Sequence, residues 1–402
     1  MLKKLHGLLE ESYEEMISIR RYLHQYPELS FQETKTAAFI ADFYQKLGIE
    51  FRSSVGGNGV VARVAGKKPG KTVALRADFD ALPIQDEKDV PYKSKMDGVM
   101  HACGHDGHTA TLLLLAKALN TLKDELEGEY VFIHQHAEEY APGGAKPMIE
   151  DGCLDGVDAI FGTHLWATAP TGTIQYRVGP IMAAADRFEI VIQGKGGHGA
   201  QPHKTRDAIV AAAQLVIALQ QIVARRVDPI ESAVVTVGSF VADNAFNVIA
   251  DKAKIIGTVR TFNEDVRDLI EKEIERVAGG ITQASDCTYE YVYHRGYPAV
   301  VTHEAETRHV IQMAQTVDEV NRIEEIAPEM GGEDFAYYLQ KVKGTFFFTG
   351  ALADGVEVVY PHHHPKFDFD EKAMLIAAKT LGAAAIGYQS TAAEPEAATS
   401  VK

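Results

Sequence analysis

Apolar and polar positions follow two rhythms along this chain. Through the first 180 residues, helix-spaced apolar positions cover 9–26 and 33–48, and short apolar runs follow at 60–64 and 72–75. The stretch TATLLLLAKALNTL reads as a buried helix over residues 109–122, and residues 129–133 read as another buried strand. This alternation predicts an α/β unit, a mixed sheet covered by helices. From Arg187 the order changes: strand RFEIVIQG, a helix over 207–225 stopped by Asp228-Pro229, strands SAVVTVGSFVA and KAKIIGTVRTF, a helix over 264–277 and a strand over 288–293. That order, βαββαβ, predicts a smaller α+β unit of ferredoxin-like type inserted into the larger one. The expected boundaries are 1–185 with 297–390 for the larger domain and 186–296 for the insert. The end, STAAEPEAATSVK, lacks apolar periodicity, so 391–402 is expected to be a disordered tail.

Composition narrows the function. The 402 residues exceed the roughly 250–300 at which single cores split, in keeping with two domains. Net charge is −16, from 40 Lys plus Arg against 56 Asp plus Glu, which argues against a nucleic-acid partner. No unbroken apolar run approaches the ~18 residues of a membrane span, so no membrane partner is expected. The opening MLKKLHGLLEESYEEM has acidic residues where a secretory signal would be apolar; it reads as an amphipathic helix and the expected location is the cytoplasm. The three cysteines, Cys103, Cys153 and Cys287, are odd in number and far apart. A disulfide framework is not expected, and Cys103 is available for metal or catalysis.

Chemistry-bearing residues recur after successive apolar strands. HACGHDGHTA, residues 101–110, alternates His101, Cys103 and His105, which share one side of an extended segment. Thiolate and imidazole suit zinc and its neighbours, and ordinary polar loop residues are the alternative reading. In FIHQHAEEYAPGG a strand runs into Glu138 and Glu139. Adjacent residues of a regular strand face opposite sides, so both carboxylates serve one site only if the chain bends there. One would then bind metal while the other accepts a proton from water, the division of labour hydrolysis needs; a solvated acidic turn is the plain alternative. His164 follows the apolar run in DAIFGTHLWA, read as a strand end, and YPHHHPKFDFDE carries three histidines before Pro365. In LRADFDALP, Asp78 and Asp80 lie two apart, and Asp80 is placed to orient a ligating histidine.

Taken together, RADFDALP, HACGHDGHTA, HAEE, GTHLW, GGHGAQPH, GGEDF and HHPKFDFDE resemble the motifs of the M20 metallopeptidase superfamily, in its order and over roughly residues 10–388. Cys-Gly-His-Asp-x-His resembles its aminoacylase-type branch of hippurate hydrolases, N-acyl-amino-acid amidohydrolases and indole-acetyl-amino-acid hydrolases. The resemblance implies two divalent ions per subunit (zinc, manganese, cobalt or nickel) held by Cys103, His105, Glu139, His164 and His363, with Cys103 bridging. His-x-Pro selects His363, which leaves His362 and His364 as bystanders. It implies Glu138 as general base, Asp80 as support for the metal site, and His198 as the group that stabilises the oxyanion, in many members across a homodimer interface. Asn247 and Arg260 resemble positions that hold a substrate carboxylate, and the inserted domain resembles a lid and dimerisation domain. His136 stands where many relatives have proline before Ala-Glu-Glu, and Ala167 where they have proline after His-Leu-Trp; His136 puts inherited substrate preference in question.

The expected reaction is therefore hydrolysis of the amide in a small-molecule N-acyl amino acid. Competing readings are a dipeptidase or carboxypeptidase of the same superfamily, a thiol hydrolase built on Cys103, and a non-catalytic metal-containing binding protein, which would not need Glu138.

Overall fold

In the computed structural model, which describes residues 1–390, the chain divides into two compact units. The first comprises Met1–Gly179, Thr302–Ala327 and the chain from Tyr337 onward, and the second comprises Pro180–Val301 and Pro328–Ala336. The segment 391–402, read as a disordered tail, lies outside the described residues.

An eight-stranded sheet organises the first unit. Its spatial order is Glu50–Val55, Gly59–Ala65, Glu127–Gln135, Lys68–Asp78, Ala159–Pro170, Lys343–Leu352, Thr173–Tyr176 and Arg322–Glu325. The strands from Glu127–Gln135 to Lys343–Leu352 run parallel, while antiparallel pairs flank them, so the sheet is mixed. Central parallel strands are covered by helices and read as unbroken apolar runs; Phe132, Ile133, Ala159, Ile160, Phe161, Phe346, Phe347 and Phe348 are all buried. Lys343–Leu352 enters between two strands that precede it in the chain.

The helix read at 109–122 begins four residues earlier, as His105–Leu122, and is buried along its length apart from Lys117, Asn120 and Thr121. It packs on the helices Tyr13–Gln25 and Lys372–Tyr388. The early start matters because its polar first turn, His105 to Thr109, is then part of the interior. The helix read at 9–26 is two helices, Leu2–Glu11 and Tyr13–Gln25, broken at Ser12, whose hydroxyl-bearing side chain carries no apolar stripe across the join.

The second unit has a four-stranded antiparallel sheet in the order Ala233–Val241, Lys252–Thr261, Ala184–Gln193, Thr288–His294. Alternate residues of Ala184–Gln193 (Phe188, Ile190, Ile192) join Ala253, Ile255 and Val259 in a core under the helices Ala208–Arg225 and Glu264–Ala284. The first of these helices is, by length and composition alone, apolar enough to cross a membrane, although no unbroken apolar run reaches that length. Gln214, Gln220 and Gln221 interrupt its apolar run and hid it. Its apolar content is used on the sheet side, where Ala208, Ala211, Ala212, Leu215, Leu219 and Ile222 are buried. Val210 and Ile217 face outward, 53% and 72% exposed.

Candidate metal centre

Ligand sites in open α/β sheets gather where parallel strands end. In the first unit Lys68–Asp78 and Glu127–Gln135 stop together, at the pair Asp78 and Gln135. Pairing of Lys68–Asp78 with Ala159–Pro170 ends at Arg76 and Gly162, so Asp78 and His164 lie just past the point where those strands part. His164 is not at a strand end, as the apolar run suggested. Its strand continues six residues to Pro170, because Lys343–Leu352 keeps pairing with it.

Four polypeptide segments meet at this opening. Donor atoms of Cys103, His105 and His164 lie within 4.8 Å of one another, and so do those of Cys103, Glu139 and His363. The two triads share one sulfur. Cys103 Sγ is 3.4 Å from His164 Nε2, and His363 Nε2 is 3.3 Å from Glu139 Oε1. Two ligands about 2.0–2.3 Å from a tetrahedral ion sit roughly 3.3–3.6 Å apart, so these separations suit ligands of a common ion. His105 Nε2 is buried with no hydrogen-bond partner, facing Glu138 Oε2 at 3.9 Å and Glu139 Oε1 at 3.8 Å. A buried imidazole nitrogen left unpaired among carboxylates and a thiol is what a cation would satisfy. The donor set fits a divalent metal.

Three left-handed residues turn these side chains inward. Gly104, at φ 98°, separates Cys103 from the helix that begins at His105. A Cβ there would meet nothing closer than 3.6 Å, so the backbone angle and not space calls for glycine. Ala137, at φ 53°, bends the chain just past Gln135, and both Glu138 and Glu139 then reach His105. His363 sits at φ 66°, its N–H donating to Ala102 C=O at 2.8 Å. Left-handed backbone costs a side-chain-bearing residue energy and collects at functional sites.

Electrostatics point the same way. Burial opposes protonation of His105, but Asp78 and Asp80 outweigh it and lift its pKa to about 10. Burial, reinforced by Glu139, Glu138 and Asp78, pushes the Cys103 thiol well up, so a nearby cation is what would draw out the thiolate. The same environment disfavours a free thiolate nucleophile. Burial holds His164 neutral, ready to ligate. Asp80 fixes the His105 ring: Nδ1 lies 3.0 Å from Asp80 C=O and 3.2 Å from Oδ1, which leaves Nε2 as the free donor. Asp80 Oδ2 in turn accepts from Ser30 Oγ at 2.7 Å and from Glu139 N–H at 2.9 Å.

Several residues support the candidate ligands, of which Arg20 and Glu33 were not read as such from the sequence. His108 Nδ1 is 2.6 Å from Asp78 Oδ1, and its Nε2 accepts from Leu165 N–H at 2.9 Å, tying the helix to the strand that carries His164. Arg20, wholly buried, donates to Asp106 at 2.9 Å and to Asp368 at 2.7 Å, joining the Cys103 segment to the His363 segment. Glu33, also wholly buried, accepts from Ala137 N–H at 2.8 Å and from Asn58 Nδ2 at 3.0 Å, and burial lifts its pKa to about 7. Nothing in the local pattern around Glu33 announces this, since its partners are 104 and 25 residues away. His362 Nε2 is 3.0 Å from Leu165 C=O and its ring packs on Trp166, while His364 stacks on Tyr360. His136 is buried edge-on to Phe31, and burial lowers its pKa.

The remaining candidates belong to the second unit. His198 lies on the short strand Gly197–His198 paired with Val248–Ile249, and Ala200 N–H donates to its Nδ1 at 3.0 Å. The neutral ring therefore carries its proton on Nε2, free to donate. Asn247 neighbours it, its C=O accepting from Gly199 N–H at 2.8 Å. Arg260 lies on Lys252–Thr261, on the side opposite the helices, where its guanidinium donates to Thr258 Oγ1 and to Val259 C=O. Asp207 caps the adjoining helix, accepting from Ile209 N–H at 2.9 Å.

Residues 74–386 match the model of peptidase family M20/M25/M40. The chain is 49% identical over 308 residues to an N-acyl-L-amino acid amidohydrolase of Geobacillus stearothermophilus, covering 76% of this chain and 83% of that one. It is 40% identical over 381 residues to thermostable carboxypeptidase 1 of Saccharolobus solfataricus, covering 94% and 96%. The crystal structure of Bacillus subtilis YXEP, a dinuclear metal binding peptidase from the M20 family, matches with a TM-score of 0.82 at 37% identity, covering 94% of this chain and 99% of that one. The mixed sheet, the converging ligands and these matches agree: this chain belongs to peptidase family M20/M25/M40 and is a hydrolase acting on amide bonds.

Proposed function

We propose that this chain hydrolyses the amide of N-acyl amino acids, giving a carboxylic acid and a free amino acid. The observation that carries the reading is the pair of donor triads meeting at Cys103, with Glu138 facing the same His105 nitrogen. Cys103, His105 and His164 would hold one divalent ion, and Cys103, Glu139 and His363 a second, drawn from zinc, manganese, cobalt or nickel. Once bound, such ions polarise the acyl carbonyl and bring the pKa of water toward neutrality. Glu138 takes the proton of the attacking water and passes it to the leaving nitrogen. Asp80 keeps the His105 ring in one orientation. His198 donates from Nε2 to the developing oxyanion, and Asn247 with Arg260 holds the substrate's carboxylate. The likeness to an N-acyl-L-amino acid amidohydrolase supports acyl substrates over peptides.

A carboxypeptidase or dipeptidase is the second reading, favoured by the likeness to thermostable carboxypeptidase 1. The deciding experiment follows free amino acid release from N-acyl amino acids and dipeptides, with manganese or zinc and again after chelation. Chelator-sensitive release from N-acyl substrates is expected. Release from dipeptides alone moves the assignment to peptidase, and release that survives chelation but not thiol alkylation gives Cys103 a nucleophile's role.

We also propose a homodimer formed through the second unit. Its strand Ala233–Val241 is a sheet edge with Phe240 and Val241 exposed, and Ile217 is exposed on the helix beside it. Ile217→Arg with Val241→Lys should then sediment as a monomer; an unchanged dimer would place the contact elsewhere.

A further inference from the structure

We infer that Glu33, contributed by the N-terminal segment, is a positioning residue that sets the aim of the general base. The inference rests on the reading of Glu138 as that base. The geometry is specific. The strand Glu127–Gln135 ends with its side chains alternating across the sheet, and only the left-handed turn at Ala137 brings two successive carboxylates toward His105. An alanine does not choose that conformation on its own. One wholly buried carboxylate oxygen, Glu33 Oε1, accepts the Ala137 N–H at 2.8 Å, and Gly144 N–H donates to the Ala137 C=O at 3.1 Å. The two peptide groups that flank the Ala137 Cα are thus each held by a hydrogen bond. Glu33 Oε2 is anchored by Asn58 Nδ2 at 3.0 Å, so the acceptor is itself fixed. Three residues earlier, Ser30 Oγ donates to Asp80, the carboxylate that orients His105. One short segment therefore braces both the base and the imidazole facing it.

The test compares Glu33→Ala, Glu33→Gln and Glu33→Ala combined with Ala137→Gly, with Glu138→Gln alongside, in the metal-loaded enzyme. Readouts are kcat, KM, metal content and a thermal melt. Glu33→Ala should lower kcat by roughly 10–100-fold, with KM changed less than about threefold and the metal retained. Glutamine keeps an acceptor for Ala137, and Asn58 can turn its amide to match, so Glu33→Gln should recover kcat to within about threefold. Glycine adopts the left-handed turn without the hydrogen bond, so Ala137→Gly should regain about fivefold in the Glu33→Ala background. A folded Glu33→Ala enzyme with wild-type kcat overturns the inference, as does Glu33→Gln falling as far as Glu33→Ala. If Glu33→Ala fails to fold, Glu33→Gln together with Asn58→Ala decides: a kcat loss of about tenfold or more with intact metal content supports the role, and no loss overturns it. Turnover retained in Glu138→Gln would overturn the base assignment and this inference with it. An inactive Glu138→Gln beside a fully active Glu33→Ala would overturn the inference alone.

Discussion

The two units treat most of their candidate residues differently, with His363 of the first unit an exposed exception. In the first, Cys103, His105 and His164 are buried and the His105 ring is tied to Asp80, which is tied in turn to Ser30 and Glu139. In the second, His198 is exposed on a two-residue strand pair, Asn247 is exposed in the turn before its partner strand, and Arg260 turns back on its own strand. Tight bracing suits atoms that must keep sub-ångström spacing around an ion, while a group that meets only the substrate needs less. Changes in the first unit should therefore cost metal or chemistry, and changes in the second should cost rate or substrate affinity with the metal left in place.

The largest expected effect is Glu138→Gln, which should reduce turnover by at least ~10³-fold while metal analysis shows full occupancy. A variant within tenfold of wild type would remove Glu138 as the base. Next come the ligands. Cys103→Ala cuts both triads and should lose nearly all bound metal, whereas His363→Ala cuts one and should keep roughly half, as read by elemental analysis. Equal losses would break the view of one sulfur shared by two ions. His198→Ala should lower kcat by about 10²–10³-fold with metal content and melting temperature unchanged; a shifted melt would mean that this exposed histidine is structural. Arg260→Ala should raise KM about tenfold and leave kcat within about threefold, in line with loss of one charge-assisted hydrogen bond. Smallest is a pH effect on stability. Glu33 has a folded pKa of about 7 against 4.5 unperturbed, so the stability it contributes is complete below pH 4.5 and is lost as pH rises through 7. Glu33→Gln should flatten that loss, a gain on the order of 2 kcal/mol at pH 8 by denaturant titration; an unaltered slope would show the carboxyl titrates normally.

Much of the candidate metal centre was legible because Glu139 and His164 follow apolar runs that form parallel strands and His105 opens a buried helix. Cys103, His105, Glu139, His164 and His363 stand out by residue type alone. What pattern could not supply was the turn at Ala137: an alanine carries no mark of left-handed backbone, and the hydrogen bond that holds it arrives from Glu33. Arg20 was hidden for a similar reason. In a helix with exposed neighbours it reads as a surface charge, and only the fold reveals Asp106 and Asp368 around it. The apolar length of Ala208–Arg225 was masked by Gln214, Gln220 and Gln221, which break its apolar run.

The position of Lys343–Leu352 within the sheet has a consequence for how the protein is made. Ala159–Pro170 and Thr173–Tyr176 leave the ribosome almost together, yet the strand that belongs between them is more than 160 residues behind. At about 5–20 residues per second, synthesis leaves that slot open for roughly 10–30 seconds. Both flanking edges are unpaired during that interval, the state in which strands recruit wrong partners. His363 emerges later still, after the whole of that strand has been made. The donor triad of Cys103, Glu139 and His363 is therefore the last part of the candidate centre to be made.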